Sequence, residues 1–243
     1  MSETPINTTP EQFNFFQKTM AWSVHLFTAS GLVAGFMAIL AINDLAWRGA
    51  MLWLVVALVI DGVDGTFARI FRVQEVLPDM NGKTMDYIID FATYAIIPAY
   101  FFHQAGLVED AFNLPCTILI LLVSALYYSK EGMVSEDYYF IGFPVMWNMV
   151  VFYLFFVFDL PSIGNILAVI FFAILHFVPI KFVYPSRGKH FRRITIAVTT
   201  ILILDLAVIL FYHPEKYFWL SLVAILAAIY YGVLAIYDTW WEK

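Results

Sequence analysis

Four aspartates interrupt two otherwise apolar stretches of the chain, and their spacing is helical. Asp61 and Asp64 lie three residues apart, and Asp86 and Asp90 lie four apart. Residues three or four apart share one face of a helix. At 3.6 residues per turn, Asp61, Asp64, Gly65 and Ala68 fall within about 100° of helix surface, with Arg69 at the flank. On the next stretch Gly82, Asp86 and Asp90 stack along one face. An aspartate at the middle of a membrane helix costs about 2.5–3.5 kcal/mol on insertion scales. Four close together would also repel, so something must compensate. Converging carboxylates select hard divalent cations such as Mg²⁺ or Mn²⁺. Two ions bridging phosphates would neutralise the acids and orient a displacement at phosphorus. Gly65 and Gly82 leave room beside them for a bulky group such as a nucleotide. The competing explanation is ion pairing with Arg69, Arg72 and Lys83. Three basic groups near the interface do not account for the registry of four acids.

The elements that hold these residues must be membrane helices. Of 243 residues, 62% are hydrophobic and 13% charged, against about 25% charged in soluble domains. That excludes a water-soluble globule and a disordered chain. A spanning helix needs about 20 mainly apolar residues. Eight such stretches are expected, near 19–42, 49–71, 83–104, 112–129, 141–158, 162–182, 194–211 and 216–237. The predicted fold class is therefore an all-α membrane protein, a polytopic bundle of eight transmembrane helices. Breaks fall at turn-forming residues, among them Pro78-Asp79-Met80-Asn81-Gly82 and Asp159-Leu160-Pro161-Ser162. Asp64 lies eight residues before Arg72, and Asp90 eight residues after Gly82. Each is thus about 12 Å in from the same surface at 1.5 Å per residue. Antiparallel neighbours would converge the four acids on one pocket.

Basic residues set the orientation. With eight spans, Lys18, Arg69, Arg72, Lys83, Lys130, Lys181, Arg187, Lys189, Arg192, Arg193 and Lys243 fall on one side, and only Arg48 and Lys216 on the other. The positive-inside rule then places both termini in the cytoplasm. The first 18 residues lack the pattern of a removable signal peptide. They are expected to be a cytoplasmic segment, with residues 13–18 able to lie in the interface as a short amphipathic helix. The single cysteine, Cys116, forbids an internal disulfide and reads as a packing residue. A net charge of −6 argues against nucleic acid as a partner.

The run Asp61-Gly62-Val63-Asp64-Gly65-Thr66-Phe67-Ala68-Arg69, twelve further residues, then Gly82-x3-Asp86-x3-Asp90 resembles the signature of the CDP-alcohol phosphotransferases. That signature is D-x2-D-G-x2-A-R, a spacer, then G-x3-D-x3-D, and every position matches. The spacer is longer than is common in the family, and further spans follow the usual set. In both respects the chain is similar to the bacterial branch that uses free choline. The resemblance implies a six-helix catalytic core over 19–182, with two additional spans and a short cytoplasmic C-terminus over 183–243. It implies transfer of the phosphatidyl group of CDP-diacylglycerol to choline in the bacterial inner membrane, giving phosphatidylcholine and CMP. It further implies two Mg²⁺ or Mn²⁺ ions held by Asp61, Asp64, Asp86 and Asp90, with Asp90 as the general base on the attacking hydroxyl. Thr28, Asp61, Gly65, Ala68, Arg69 and Gly82 would line the nucleotide site. His25 stands where other members carry Asn, three residues before Thr28. A homodimer is the assembly the resemblance suggests.

A choline cation calls for aromatic faces and diffuse negative charge. Glu136, Asp137, Tyr138, Tyr139 and Trp147 are the expected cage. Arg187, Lys189, Arg192 and Arg193 open the seventh span and are candidates for a lipid phosphate, or equally for attraction to anionic headgroups. Asp205, mid-span, is expected to pair with a polar residue on a neighbouring helix. Two rivals share the acids. One is the same chemistry with serine as acceptor. The other is a membrane carrier whose acidic pocket conducts cations or protons, which would leave Gly65, Ala68, Arg69 and Gly82 without a reason to keep their places.

Overall fold

A computed structural model of the chain describes residues 13–135, 137, 139–184 and 191–241. Its elements in order are α1 (Phe15–Asn43), α2 (Trp47–Ile70), the short α3 (Val73–Val76), α4 (Gly82–Asp90), α5 (Ile97–Gln104), α6 (Asp110–Tyr128), β1 (Tyr139–Ile141), α7 (Trp147–Phe152), α8 (Ser162–Leu175), β2 (Lys181–Val183), α9 (Arg192–Tyr212) and α10 (Phe218–Trp240). A π-helical stretch, Phe91–Ile96, joins α4 to α5 without a break, and another, Tyr153–Val157, extends α7. Pro98 follows the first of these and lacks the N–H that the Tyr94 carbonyl would accept in an α-helix. The widened π register absorbs that missing bond.

The protein is an all-α membrane protein, with one two-stranded ribbon among the described residues. Among the described residues, five helices, α1, α2, α6, α9 and α10, are long and apolar enough to cross a membrane. The expected fifth and sixth spans are corrected in length. α7 and its π stretch cover six and five residues, and α8 covers 14. At 1.5 Å per residue α8 is about 21 Å long, short of the roughly 30 Å hydrocarbon core. Residues 141–146 and 176–182 were expected inside those spans. The latter part of that chain instead pairs β1 with β2, antiparallel, with Phe140 opposite Phe182. Gly142 (φ +94°) makes the turn out of β1, and a Cβ there would run into the His176 carbonyl. Only glycine fits.

α1 begins with a capping box. The Asn14 side chain accepts from the Gln17 backbone N–H at 2.9 Å, and the Gln17 side chain accepts from the Asn14 N–H at 2.8 Å. Residues 15–18, expected in a separate interfacial helix, are therefore the first turn of α1. Gly31 and Gly35 on α1 let α4 and α5 approach closely. A Cβ on Gly35 would stand 2.8 Å from Ile97 Cδ1, and one on Gly31 would stand 3.1 Å from Ile89 Cγ2. This contact fixes α4 against α1, and α1 and α2 form an antiparallel hairpin through a turn at Asp44–Ala46. Three helices thereby face one another along the stretch that carries the acids. The main core lies between them and α6–α7, built on Phe101, Phe102, Trp147, Phe152 and Phe156. Cys116 is a buried free thiol within it.

At the opposite end, Arg48 on α2 donates to the Phe211 carbonyl (3.1 Å), and Lys216 donates to Asp159 (2.6 Å) and to the Phe158 carbonyl (3.0 Å). These are the two cations the charge pattern assigned to that side.

Candidate active site

Asp61 and Asp64 project from α2, and Asp86 and Asp90 from α4. The helical registry read from the sequence is realised in space. Asp61, Asp86 and Asp90 each offer a carboxylate oxygen, and these oxygens lie within 4.8 Å of one another. All four acids line one narrow cleft, walled by Thr28 and Gly31 of α1, Ala57 and Ile60 of α2 and Ile89 of α4. Asp61 shares hydrogen bonds with Asp86 and with Asp90. Carboxylates stand this close only when a proton or a cation lies between them. The donor set is oxygen alone, from three acids on two helices, which suits a hard divalent cation. Asp64 is set apart from the other three. It is buried on the cleft wall, where the Thr28 hydroxyl and the Gly65 backbone reach its carboxylate.

One residue the sequence reading missed holds the site from within. Tyr94, in the π stretch after α4, is 6% exposed and donates its Oη–H to Asp61 Oδ2 at 2.7 Å. Its position four residues after Asp90, on the same face, was the available signal. Tyr128, the last residue of α6, was missed as well. It packs edge-to-face on Tyr87 and Phe91 and interacts electrostatically with Asp90, Asp61 and Asp86.

Of the expected nucleotide residues, Thr28 and Asp61 line the cleft itself. A Cβ on Gly65 would meet only Arg69 Nη1, at 3.5 Å, and one on Gly82 would meet His25 Cε1, at 3.4 Å. Both glycines therefore keep space that a larger residue would fill. Arg69 is exposed and bonds Thr66 Oγ1 at 3.0 Å. Ala68 packs against the small cluster of Ala21, Val24, Val73 and Val76. It is thus a packing contact that seats α3 under α1 and α2. His25 is buried on α1, and its Nε2 has no hydrogen-bond partner among the described residues.

Two rings of the expected cage for a cation, Tyr139 and Trp147, are deeply buried. Tyr139 is 1% exposed, and Lys181 Nζ stands 5.4 Å over its ring. Trp147 is fully buried, stacked on His176 at 5.4 Å, with its Nε1–H on Ser124 Oγ at 2.9 Å. Both rings are core side chains rather than walls of an open cage. Aromatic residues in this chain are so frequent that sequence proximity does not distinguish the two roles. Asp137 lies in the exposed turn before β1, while Glu136 and Tyr138 fall outside the described residues. Arg192 and Arg193 are exposed in the first turn of α9, and Arg187 and Lys189 fall outside the described residues. The Asp205 Oδ2, expected to pair, finds no hydrogen-bond partner among the described residues.

No family model matches the chain. Curated relatives do. The phosphatidylcholine synthase of Rhizobium johnstonii is 39% identical over 183 residues, covering 75% of this chain and 75% of that protein. The phosphatidylcholine synthase of Agrobacterium fabrum is 37% identical over 215 residues, 88% of this chain and 89% of that protein. The protein of the same name from Borreliella burgdorferi is 39% identical over 192 residues, 79% and 82% of the two chains.

Proposed function

This chain belongs to the phosphatidylcholine synthase family, and we propose how its own residues make that lipid. It is a membrane transferase that moves the phosphatidyl group of CDP-diacylglycerol to free choline and releases CMP. In the proposed site Asp61, Asp64, Asp86 and Asp90 hold two divalent ions, Mg²⁺ or Mn²⁺. Bound there, such ions draw charge from the diphosphate and make CMP the better leaving group. Thr28, Gly65, Arg69 and Gly82 line the space for the cytidine diphosphate. The choline oxygen attacks the lipid-bearing phosphorus, and the bond from that phosphorus to the CMP oxygen breaks. Asp90 accepts the choline proton as the new bond forms. Holding a soluble alcohol against a lipid diphosphate removes much of the entropic barrier.

The observation that carries this reading is the meeting of three carboxylates from two antiparallel helices within 4.8 Å. Leaving out the one-turn α3 and counting α4 through α5 as one, the eight remaining helical segments are proposed as eight crossings, two of them by the short α7 and α8. The asymmetry of Lys and Arg supports a cytoplasmic acid cleft, cytoplasmic termini and residence in the bacterial inner membrane. The cleft then admits choline from the cytoplasm and a lipid from the bilayer.

The test is turnover by purified protein with CDP-diacylglycerol and labelled choline, read as phosphatidylcholine and CMP in equal amounts. A chelator should stop it, and Mn²⁺ or Mg²⁺ should restore it. Serine in place of choline should give no product. Turnover with serine and none with choline would overturn the acceptor assignment. Cation flux without CMP release would overturn the chemistry.

A further inference from the structure

Beside Asp90, three aromatic rings from two helices form a corner that the catalytic scheme leaves unused. Tyr87 and Phe91 lie four apart along α4 and its π continuation, and Tyr128 closes against them from the end of α6. The Tyr128 ring centroid is 6.0 Å from Tyr87 at 72° and 5.6 Å from Phe91 at 87°. All three are half-buried, so the rings are held by packing without being sealed off. Tyr184, just after β2, interacts electrostatically with Tyr128 and stacks on Phe140 at 4.6 Å. Each edge-to-face contact occupies one face of one ring, so two such contacts among three rings leave other electron-rich faces for another group. One face already holds a cation: Lys83 Nζ stands 5.4 Å over Tyr87.

Resting on the assignment of choline as acceptor, we propose that this corner receives the quaternary ammonium of choline. Only two carbons separate the ammonium from the hydroxyl that must reach Asp90. The ammonium site therefore has to adjoin that carboxylate. Tyr128 does so, since it packs on Phe91 and Tyr87, the chain neighbours of Asp90 and Asp86. A trimethylammonium donates no hydrogen bond, so π faces and nearby carboxylates are the groups that can recognise it. It is also less tightly hydrated than the Lys83 ammonium, which is exposed and free to withdraw into water. Tyr139 offers no such exchange. It is 1% exposed, and the lysine over it is anchored in β2. The same corner disfavours serine. Its carboxylate would face the acids beside the corner, and like charges repel.

The experiment uses the full chain in detergent or vesicles and compares Tyr128→Leu, Tyr128→Phe and Tyr87→Leu with the wild type. Removing a ring should raise the choline KM roughly tenfold while the CDP-diacylglycerol KM changes by less than about twofold. Tyr128→Phe keeps the ring and should behave as the wild type. The neutral isostere 3,3-dimethylbutan-1-ol should bind far more weakly than choline to the wild type, and that gap should narrow in Tyr128→Leu. Should Tyr128→Leu fail to fold, Tyr87→Leu carries the same expectation from the more accessible side of the corner. An unchanged choline KM in a folded ring-deleted variant overturns the inference. So does a rise shared equally by both substrates. A fall in kcat for Tyr128→Phe with no change in choline KM overturns it too, and assigns the hydroxyl instead. Each of these leaves wild-type choline turnover intact, whereas failure of the acceptor assignment shows as a wild type that does not use choline.

Discussion

Replacing Tyr94 by Phe deletes one oxygen and, with it, the donor that reaches Asp61 from outside the acid cluster, at 2.7 Å. The ring stays, so no cavity opens and the π stretch keeps its packing. What is lost is a hydrogen bond to a charged group in a buried setting, worth about 1.5–3 kcal/mol. It holds Oδ2 and so fixes the rotation of the carboxylate. Without it a buried oxygen is left unsatisfied, and Asp61 must be ordered by the incoming ion itself. At 1.4 kcal/mol per factor of ten, this predicts a divalent-ion affinity about 10- to 100-fold weaker, the range typical of lost outer-shell partners. Titration of the chelator-stripped protein with Mn²⁺, read by the resonance signal of the free ion and in the absence of lipid substrate, measures it directly. The Mn²⁺ activation curve should shift by the same factor, with kcat at saturating Mn²⁺ within a few-fold of the wild type. An unchanged Mn²⁺ affinity would refute the positioning role. So would a loss of kcat at saturating metal with no shift in affinity, which would place the hydroxyl in the reaction itself.

Three further outcomes follow from other contacts. Asp90→Asn should lower turnover by about 10²–10⁴, the usual contribution of a general base, and also raise the melting temperature of the metal-free protein by removing one of three crowded acids. Full activity in that variant would remove Asp90 from the chemistry. Gly142→Ala places a Cβ against the His176 carbonyl at a φ of +94° and should cost about 1–3 kcal/mol, seen as a lower melting temperature. An unchanged value would mean that the ribbon does not seat on His176. The His213 imidazole, at the end of α9, is pushed below its ordinary value of 6.5 by burial first, then by Lys216 and Arg48. The folded chain therefore resists a proton that the unfolded chain accepts. The stability this gives is full above pH 6.5 and is lost as pH falls through the lowered value. Thermal melting from neutral to mildly acidic pH should show a shallower acid slope for His213→Gln, and identical slopes would refute it.

Much of the site was legible in the chain because its rule is local. Spacing of three and four on a helix places Asp61 with Asp64 and Asp86 with Asp90 whatever surrounds them. The apolar stretches likewise announce membrane helices by composition alone. Asp64 marks where locality ends. It shares a face with Asp61, yet it lies outside the trio whose carboxylate oxygens come within 4.8 Å of one another. The surroundings of the rings expected in the cage were hidden for the same reason. Tyr139 and Trp147 are near the acids in no local sense, and their rings are consumed by Lys181 and His176.

Periodicity along single helices was enough to name the acids, their shared depth and the kind of ion they suit, since rise and turn per residue are properties of the backbone. Packing between helices settled the remainder. It decided that α7 and α8 stop short so that β1 and β2 can pair, that Tyr94 reaches back to Asp61, and that Tyr128 meets Tyr87 and Phe91 beside Asp90. Those contacts depend on the rotation of each helix about its axis and on how closely Gly31 and Gly35 let the helices approach. Both are set by many distant side chains together, and no short segment encodes them.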